Sequence, residues 1–234
     1  MCVVALALAA SPRWHLVVAG NRDEFHARPS APLMRWDDAP HFLGGRDLVS
    51  GGGWIGVSEQ GRFAVVTNVA GYPRGGAAPS RGALVADYLR TGDLPDDAAL
   101  DAFGGFSLMT IGDDAAFRSN RPALVHQPLA PGLHGISNGP LDPPWPRTRT
   151  LTQALGAWLT QDRAPEDLLG LLADEQATVE GERPVFIRDS VYGTRCSTVI
   201  AIAADGTGVI IERSFAASGM VDGDTRLDFA WSRA

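Results

Sequence analysis

Short apolar runs punctuated by Gly, Asp and Pro come in blocks along this chain, and runs with helical spacing form separate blocks between them. Strict strand–helix–strand alternation is scarce. A parallel sheet needs a long crossover between neighbouring strands, whereas antiparallel strands need only a turn. The block pattern therefore implies antiparallel sheet with helices packed outside it, an α+β architecture. Periodicity does not fix whether the strands make one sheet or two.

Met1 to Ala10 and Trp14 to Ala19 flank the turn Ser11-Pro12-Arg13 and read as a hairpin. The strand Leu16 to Gly20 then ends at four polar residues, Asn21-Arg22-Asp23-Glu24. Arg28 to Asp47, rich in Pro, Asp and scattered aromatics, reads as a loop excursion around a site. Trp54 to Ser58 and Arg62 to Val69 form a second hairpin about Gln60-Gly61. Helices follow: one with Ser80 as N-cap and Leu84, Val85, Tyr88 and Leu89 on its buried face, another over Leu94 to Phe103 with Asp96 and Asp97 in its first turn. Phe106 to Ile111, Ala116 to Phe117, Leu124 to Gln127 and Gly132 to Ile136 read as strands. Pro146 to Thr160 and Glu166 to Ala173 are a second helical pair, with Leu151, Leu155, Trp158 and Leu159 on one face. Strands return at Ser197 to Ala203, Gly208 to Arg213 and Leu227 to Trp231.

A chain of 234 residues that is 45% apolar and 20% charged can bury a real core as one globular domain over 1–234. No apolar run approaches the roughly 20 residues that a membrane span needs. The formal charge of -7 gives no basic footprint for nucleic acid or anionic membrane. All 20 basic residues are Arg, which excludes a Schiff-base lysine, a pyridoxal-phosphate anchor and a phosphate-loop lysine. The five histidines show neither HExxH nor HxxxH spacing and no CxxC occurs, so metal ligation is not expected. Cys2 and Cys196 are read as free thiols, with a single disulfide between them the alternative. The apolar N-terminus has no Arg before Arg13, so it reads as a strand and not as a secretory signal, which points to the cytoplasm.

Cys2 is the most informative residue. Removal of Met1 would leave it with a thiol and a free α-amine, and such an amine titrates near 7.7 to 8.0, able to take a proton at neutral pH. Nucleophile and base would be one residue. The plainer reading is a small apolar residue starting a buried strand. If the first two strands pair, Asn21-Arg22-Asp23-Glu24 is carried beside Cys2. A guanidinium there would favour a thiolate, and a carboxylate could hold the amine by a charge-assisted hydrogen bond. The alternative is a solvated loop with an internal ion pair.

Several separated motifs share a resemblance. Met1-Cys2, Asn21-Arg22-Asp23-Glu24 with Phe25 and Arg28-Pro29, Gly52-Gly53-Trp54-Ile55-Gly56, Thr67-Asn68, Gly135-Ile136-Ser137-Asn138, Pro144-Trp145-Pro146-Arg147 and Tyr192-Gly193-Thr194-Arg195 resemble the NRDE family, also called the transport and Golgi organisation protein 2 family. The family in turn is similar to the cysteine branch of the N-terminal nucleophile (Ntn) hydrolases, which includes penicillin V acylase and bile salt hydrolase. The resemblance implies a four-layer αββα sandwich, two antiparallel sheets flanked by helices. It implies Cys2 as nucleophile, Asp23 as the carboxylate holding the amine, Asn68 and Asn138 as two amides at the oxyanion and amine positions, and Arg195 as a supporting late Arg. An orienting Arg is also implied; the spacing here is compressed, leaving Asn21 or Arg22 for that place, with Arg22 favoured.

Other features carry bland readings. Gly51-Gly52-Gly53 fits a turn or close backbone approach, since no helix start and no Lys follows. Trp36, Trp54, Trp145 and Trp158 could line an acyl pocket or pack the core. Glu24 is read as an ion-pair partner and Cys196 as a core thiol. The expected activity is hydrolysis of an amide or related acyl bond of a small molecule, a carbon–nitrogen bond other than a peptide bond, with no cofactor. The alternative is a binding or trafficking protein using the same pocket, with haem as ligand, held non-covalently because no CxxCH is present.

Overall fold

The computed structural model describes residues 2–73, 75, 76, 78–177 and 179–232; Met1, the start of the expected first hairpin, lies outside them. The chain forms two compact bodies. One comprises Met1–Arg28, Pro131–Ser137 and Leu141–Ala230, the other Pro29–Ala130, Asn138–Pro140 and Trp231–Ala234.

The first body opens with β1 (Val3–Leu8) and β2 (Trp14–Phe25). The second body follows with β3 (Ser30–Trp36), β4 (Ala39–Asp47), β5 (Ile55–Ser58), β6 (Arg62–Asn68), α1 (Arg81–Thr91), α2 (Asp97–Asp101), β7 (Phe106–Ile111), β8 (Ala115–Ser119) and β9 (Val125–Pro128). The chain then returns to the first body for β10 (Gly132–Ile136), α3 (Pro146–Leu159), a 3-10 turn (Pro165–Asp167), α4 (Leu168–Leu172), β11 (Tyr192–Ala203), β12 (Thr207–Phe215) and β13 (Val221–Ala230).

Six antiparallel strands in the order β10-β1-β2-β11-β12-β13 make the first sheet. Alternation puts Val3, Ala5, Ala7, Val17 and Ala19 on one face, where they pack against Leu151, Leu155 and Trp158 of α3 and Leu168 and Leu172 of α4. The small alanines let the helices lie close. Each buried Leu contributes about 1.5–3 kcal/mol by leaving water. β1 is apolar on both faces, as a central strand must be, with all six residues buried.

The second sheet is a seven-stranded antiparallel meander, β3 to β9 in chain order. Leu84, Val85, Tyr88 and Leu89 of α1 pack on it beside Trp36, Phe42, Ala64 and Val66. Ser80 is the N-cap as expected, but its side chain makes no cap hydrogen bond; at the other end Gly92, at φ 86°, donates to Tyr88 O. Gly52 is the expected close approach: a Cβ there would lie 2.4 Å from the Gly82 carbonyl carbon.

The α+β class with two antiparallel sheets and flanking helices is the class observed. Three local expectations need correction. Arg28 to Asp47 is not a loop but the hairpin β3–β4; Pro32 is accommodated because β3 is an edge strand with a register shift between Ala31 and Met34. The Leu94 to Phe103 helix shrinks to α2, capped by Asp96 accepting from Ala99 N at 2.9 Å. The polar tetrad does not follow β2 but lies within it, since pairing with β11 continues to Tyr192↔Phe25. No helix among the described residues is long and apolar enough to cross a membrane.

Candidate active site

β1 and β2 pair antiparallel with Val3 opposite Asn21 and Val4 opposite Gly20. Carried one residue further, that register sets Cys2 across from Arg22, and on the far side Arg22 pairs with Cys196 of β11. Cys2, Arg22 and Cys196 therefore form a row on the sheet face opposite the helices. Cys2 is half-buried, and its carbonyl accepts the Ser137 hydroxyl at 2.7 Å. Burial pushes its thiol up and the Asp23 charge adds to this, while the Arg22 guanidinium and the Asp23 main-chain N–H favour the thiolate.

Asp23 faces the helices. Its carboxylate accepts from Arg147 Nη2 of α3 at 2.9 Å on Oδ2 and from Thr194 Oγ1 at 2.8 Å on Oδ1. Arg147 also donates to Val185 O at 3.0 Å, and the Tyr192 hydroxyl donates to Asp23 O at 2.9 Å. Burial pushes the Asp23 carboxyl up, opposed by the charge of Arg147. The strand runs on through these polar residues because each has a partner inside the protein.

Asn21 is fully buried on that same helix face. Its amide donates to Leu172 O at 2.8 Å and Val185 O at 3.0 Å and accepts from Ser197 Oγ at 2.6 Å. It therefore ties α4 and the Val185 segment to the sheet. Of the two residues left open for the orienting place, Arg22 is the one on the Cys2 face. Glu24 stands 3.8 Å from Arg22 and 3.9 Å from Arg28, the expected ion-pair partner.

Arg195 is the bulged residue of β11 between Thr194 and Cys196. Its Nη1 donates to the carbonyls of Phe25, His26 and Arg28 at 3.0–3.1 Å, capping the turn after β2. Asn68 and Asn138 belong to the second body. Asn68 is exposed at the end of β6; Asn138, buried, donates from Nδ2 to Asn68 O at 2.9 Å and receives Ala70 N on its carbonyl.

Cys196 is a buried free thiol pushed well up by burial, with the Glu212 charge acting in the same direction. Trp36 stacks on Phe42 and Trp158 tilts against Trp14, so both are core residues; Trp145 is exposed. Among the described residues no group of three or more His, Cys, Asp and Glu is placed to hold a metal. Arg147, Thr194, Ser137 and Ser197 take part in this network without having been singled out from sequence. The first three sit inside motifs that carried the family resemblance, and that was the available signal.

Solved structures with this arrangement of elements are amidases and acylases of the Ntn-hydrolase type. An N-acylethanolamine-hydrolyzing acid amidase ortholog of Caenorhabditis elegans superposes with TM-score 0.54 at 13% identity, covering 85% of this chain and 92% of that one. A variant of conjugated bile acid hydrolase from Clostridium perfringens gives 0.52 at 10% identity over 98% and 97%. Penicillin V acylase from Agrobacterium tumefaciens gives 0.50 at 12% over 91% and 82%. The fold is thus that of Ntn-hydrolase-like amidases and acylases. The chain belongs to the Transport and Golgi organisation 2 family, which it matches over residues 1–217. It is 30% identical to the Transport and Golgi organization protein 2 homolog of Bos taurus, over 93% of this chain and 94% of that protein. The Homo sapiens homolog is 29% identical over 97% of both.

Proposed function

We propose that the protein is an N-terminal-cysteine hydrolase that cleaves a carbon–nitrogen bond, other than a peptide bond, or a related acyl bond of a small molecule. Removal of Met1 exposes the α-amine of Cys2. That amine takes the thiol proton as sulfur attacks the substrate carbonyl, then gives it to the leaving nitrogen as the carbon–nitrogen bond breaks. Water attacks the resulting thioester, its proton passing to the amine and then to sulfur, and the carboxylic acid leaves. Arg22 favours the thiolate, Asp23 holds the amine, and Arg195 fixes the turn that follows β2.

The reading gives Asn68 and Asn138 the amide roles that the family resemblance implies. An Asn side-chain amide is a neutral N–H donor of the kind that acyl-transfer sites aim at a developing oxyanion. Such a donor is worth about 2.7–4 kcal/mol in other acyl-transfer sites. One observation carries the reading: Cys2 lies immediately ahead of β1, where the register of the β1–β2 pairing sets Arg22 across from it and Asp23 next along β2. The named activities of the structural neighbours, all on amides, support it. The test is a panel of N-acyl amides assayed for amine release. Release that disappears in Cys2→Ala supports the proposal, and release unchanged in Cys2→Ala contradicts it.

A further inference from the structure

Asp23 is one half of a buried ion pair whose cation, Arg147, the reaction as written does not use. Arg147 and Asp23 meet at 2.9 Å with side-chain exposures of 9% and 0%. A buried pair of this kind offsets the loss of hydration only with good geometry and further hydrogen bonds. Here Arg147 has Val185 O as well, and Asp23 has Thr194. Thr194 is itself fixed, because its Oγ1 accepts from Ile187 N at 2.9 Å. The Nε of Arg147 is buried without a hydrogen-bond partner among the described residues, so the Asp23 carboxylate supplies much of what offsets burying this cation.

The placement is specific to one atom of Cys2. Cys2 stands across from Arg22, so its main-chain nitrogen falls on the Asp23 side of that pairing. The Cys2 side chain leaves on the other face. A carboxylate fixed by α3 can therefore meet the nitrogen on its own face, while it bears on the sulfur only through its charge.

We infer that Arg147 is a positioning residue: from the first turn of α3 it fixes the Asp23 carboxylate, as an anion, alongside the nitrogen of Cys2. The inference rests on the proposed Cys2 chemistry and adds a residue to it. Without the cation, burial would be opposed mainly by the Thr194 hydroxyl and the amine, the carboxylate would take up a proton nearer neutrality, and the ammonium form of the amine would lose its counter-charge. The groups bearing on this titration are Arg147 from α3, Thr194 and Tyr192 from β11, Cys2 ahead of β1, and the Val185 carbonyl.

The test uses the full chain as wild type, Arg147→Gln and Arg147→Lys. The Asp23 carboxyl is followed by carbon NMR against pH, its signal assigned by loss in Asp23→Asn, and Cys2 acylation by a β-lactone is followed across the same range. Removing an opposite charge at this distance should raise the Asp23 midpoint by about 1–3 units in Arg147→Gln. Acylation at neutral pH should fall at least about tenfold, with its acid limb moving up in step. Arg147→Lys keeps the charge at shorter reach and should fall between; if Arg147→Gln does not fold, this intermediate shift decides the matter. An Asp23 midpoint equal to wild type in a folded variant overturns the inference, as does a midpoint that moves while the acylation profile does not. Wild-type protein that is not acylated at Cys2 overturns the hydrolase reading, and with it the positioning role, whatever the carboxyl titration shows.

Discussion

Cys2 and Asp23 leave the six-stranded sheet on opposite faces, the thiol with Arg22 and Cys196, the carboxylate with Arg147 and Thr194. Asp23 can thus restrain the amine while its charge pushes the thiol up. The two effects separate on mutation. Asp23→Asn should slow β-lactone acylation of the processed protein by at least about tenfold. Simple alkylation of Cys2 by iodoacetamide at the same pH should become faster, because the charge that disfavoured the thiolate is gone. Both rates falling together would contradict this division. Circular dichroism must show the variant folded, since it leaves Arg147 without its counter-ion.

Asn21 and Arg22 are neighbours with different duties. Asn21→Ala takes the Asn21 partner from Leu172 O and the Ser197 hydroxyl and leaves Val185 O with Arg147 alone. It should cost about 2–4 kcal/mol, roughly 5–15 °C in melting temperature, with acylation of the folded protein kept. Arg22→Met should do the reverse, leaving the melt within a few degrees and slowing alkylation of Cys2. Calorimetry and mass spectrometry on the two variants check this; a catalytic loss confined to Asn21→Ala would exchange their roles.

Cys196 reports on alkaline stability. Its thiol is raised in the folded protein and titrates near 8.5 when unfolded. A raised folded value favours folding below the unfolded value, and that contribution is lost as pH climbs toward the folded one. Urea midpoints should therefore fall above about pH 8.5, and Cys196→Ala should remove much of that fall. Equal slopes in the two proteins would refute the assignment. Cys2 and Cys196 should also form no disulfide on mild oxidation. They are two strands apart, about 10 Å, beyond the roughly 7 Å that such a bond spans.

The antiparallel α+β plan was legible because apolar runs and Gly turns report strand pairing directly. So was the buried face of α1. The course of β2 was not: Asn21 and Asp23 look like a strand end, and only the carbonyls of Leu172 and Val185 and the side chains of Ser197, Thr194 and Arg147 make them tolerable inside a sheet. Those partners lie more than a hundred residues away, beyond any local pattern. The β3–β4 hairpin was hidden for another reason, because edge strands accept the Pro and charges that mark loops. Cys2 could be singled out from residue chemistry and Asp23 only through the family resemblance, whereas Arg147 sat in a quoted motif with no role attached.

The most direct test of the account is the intact mass of the purified protein before and after brief treatment with a β-lactone. The account predicts a chain lacking Met1 that gains one acyl group, with no gain in Cys2→Ala. Met1 retained throughout, or a gain that persists in Cys2→Ala, would contradict it.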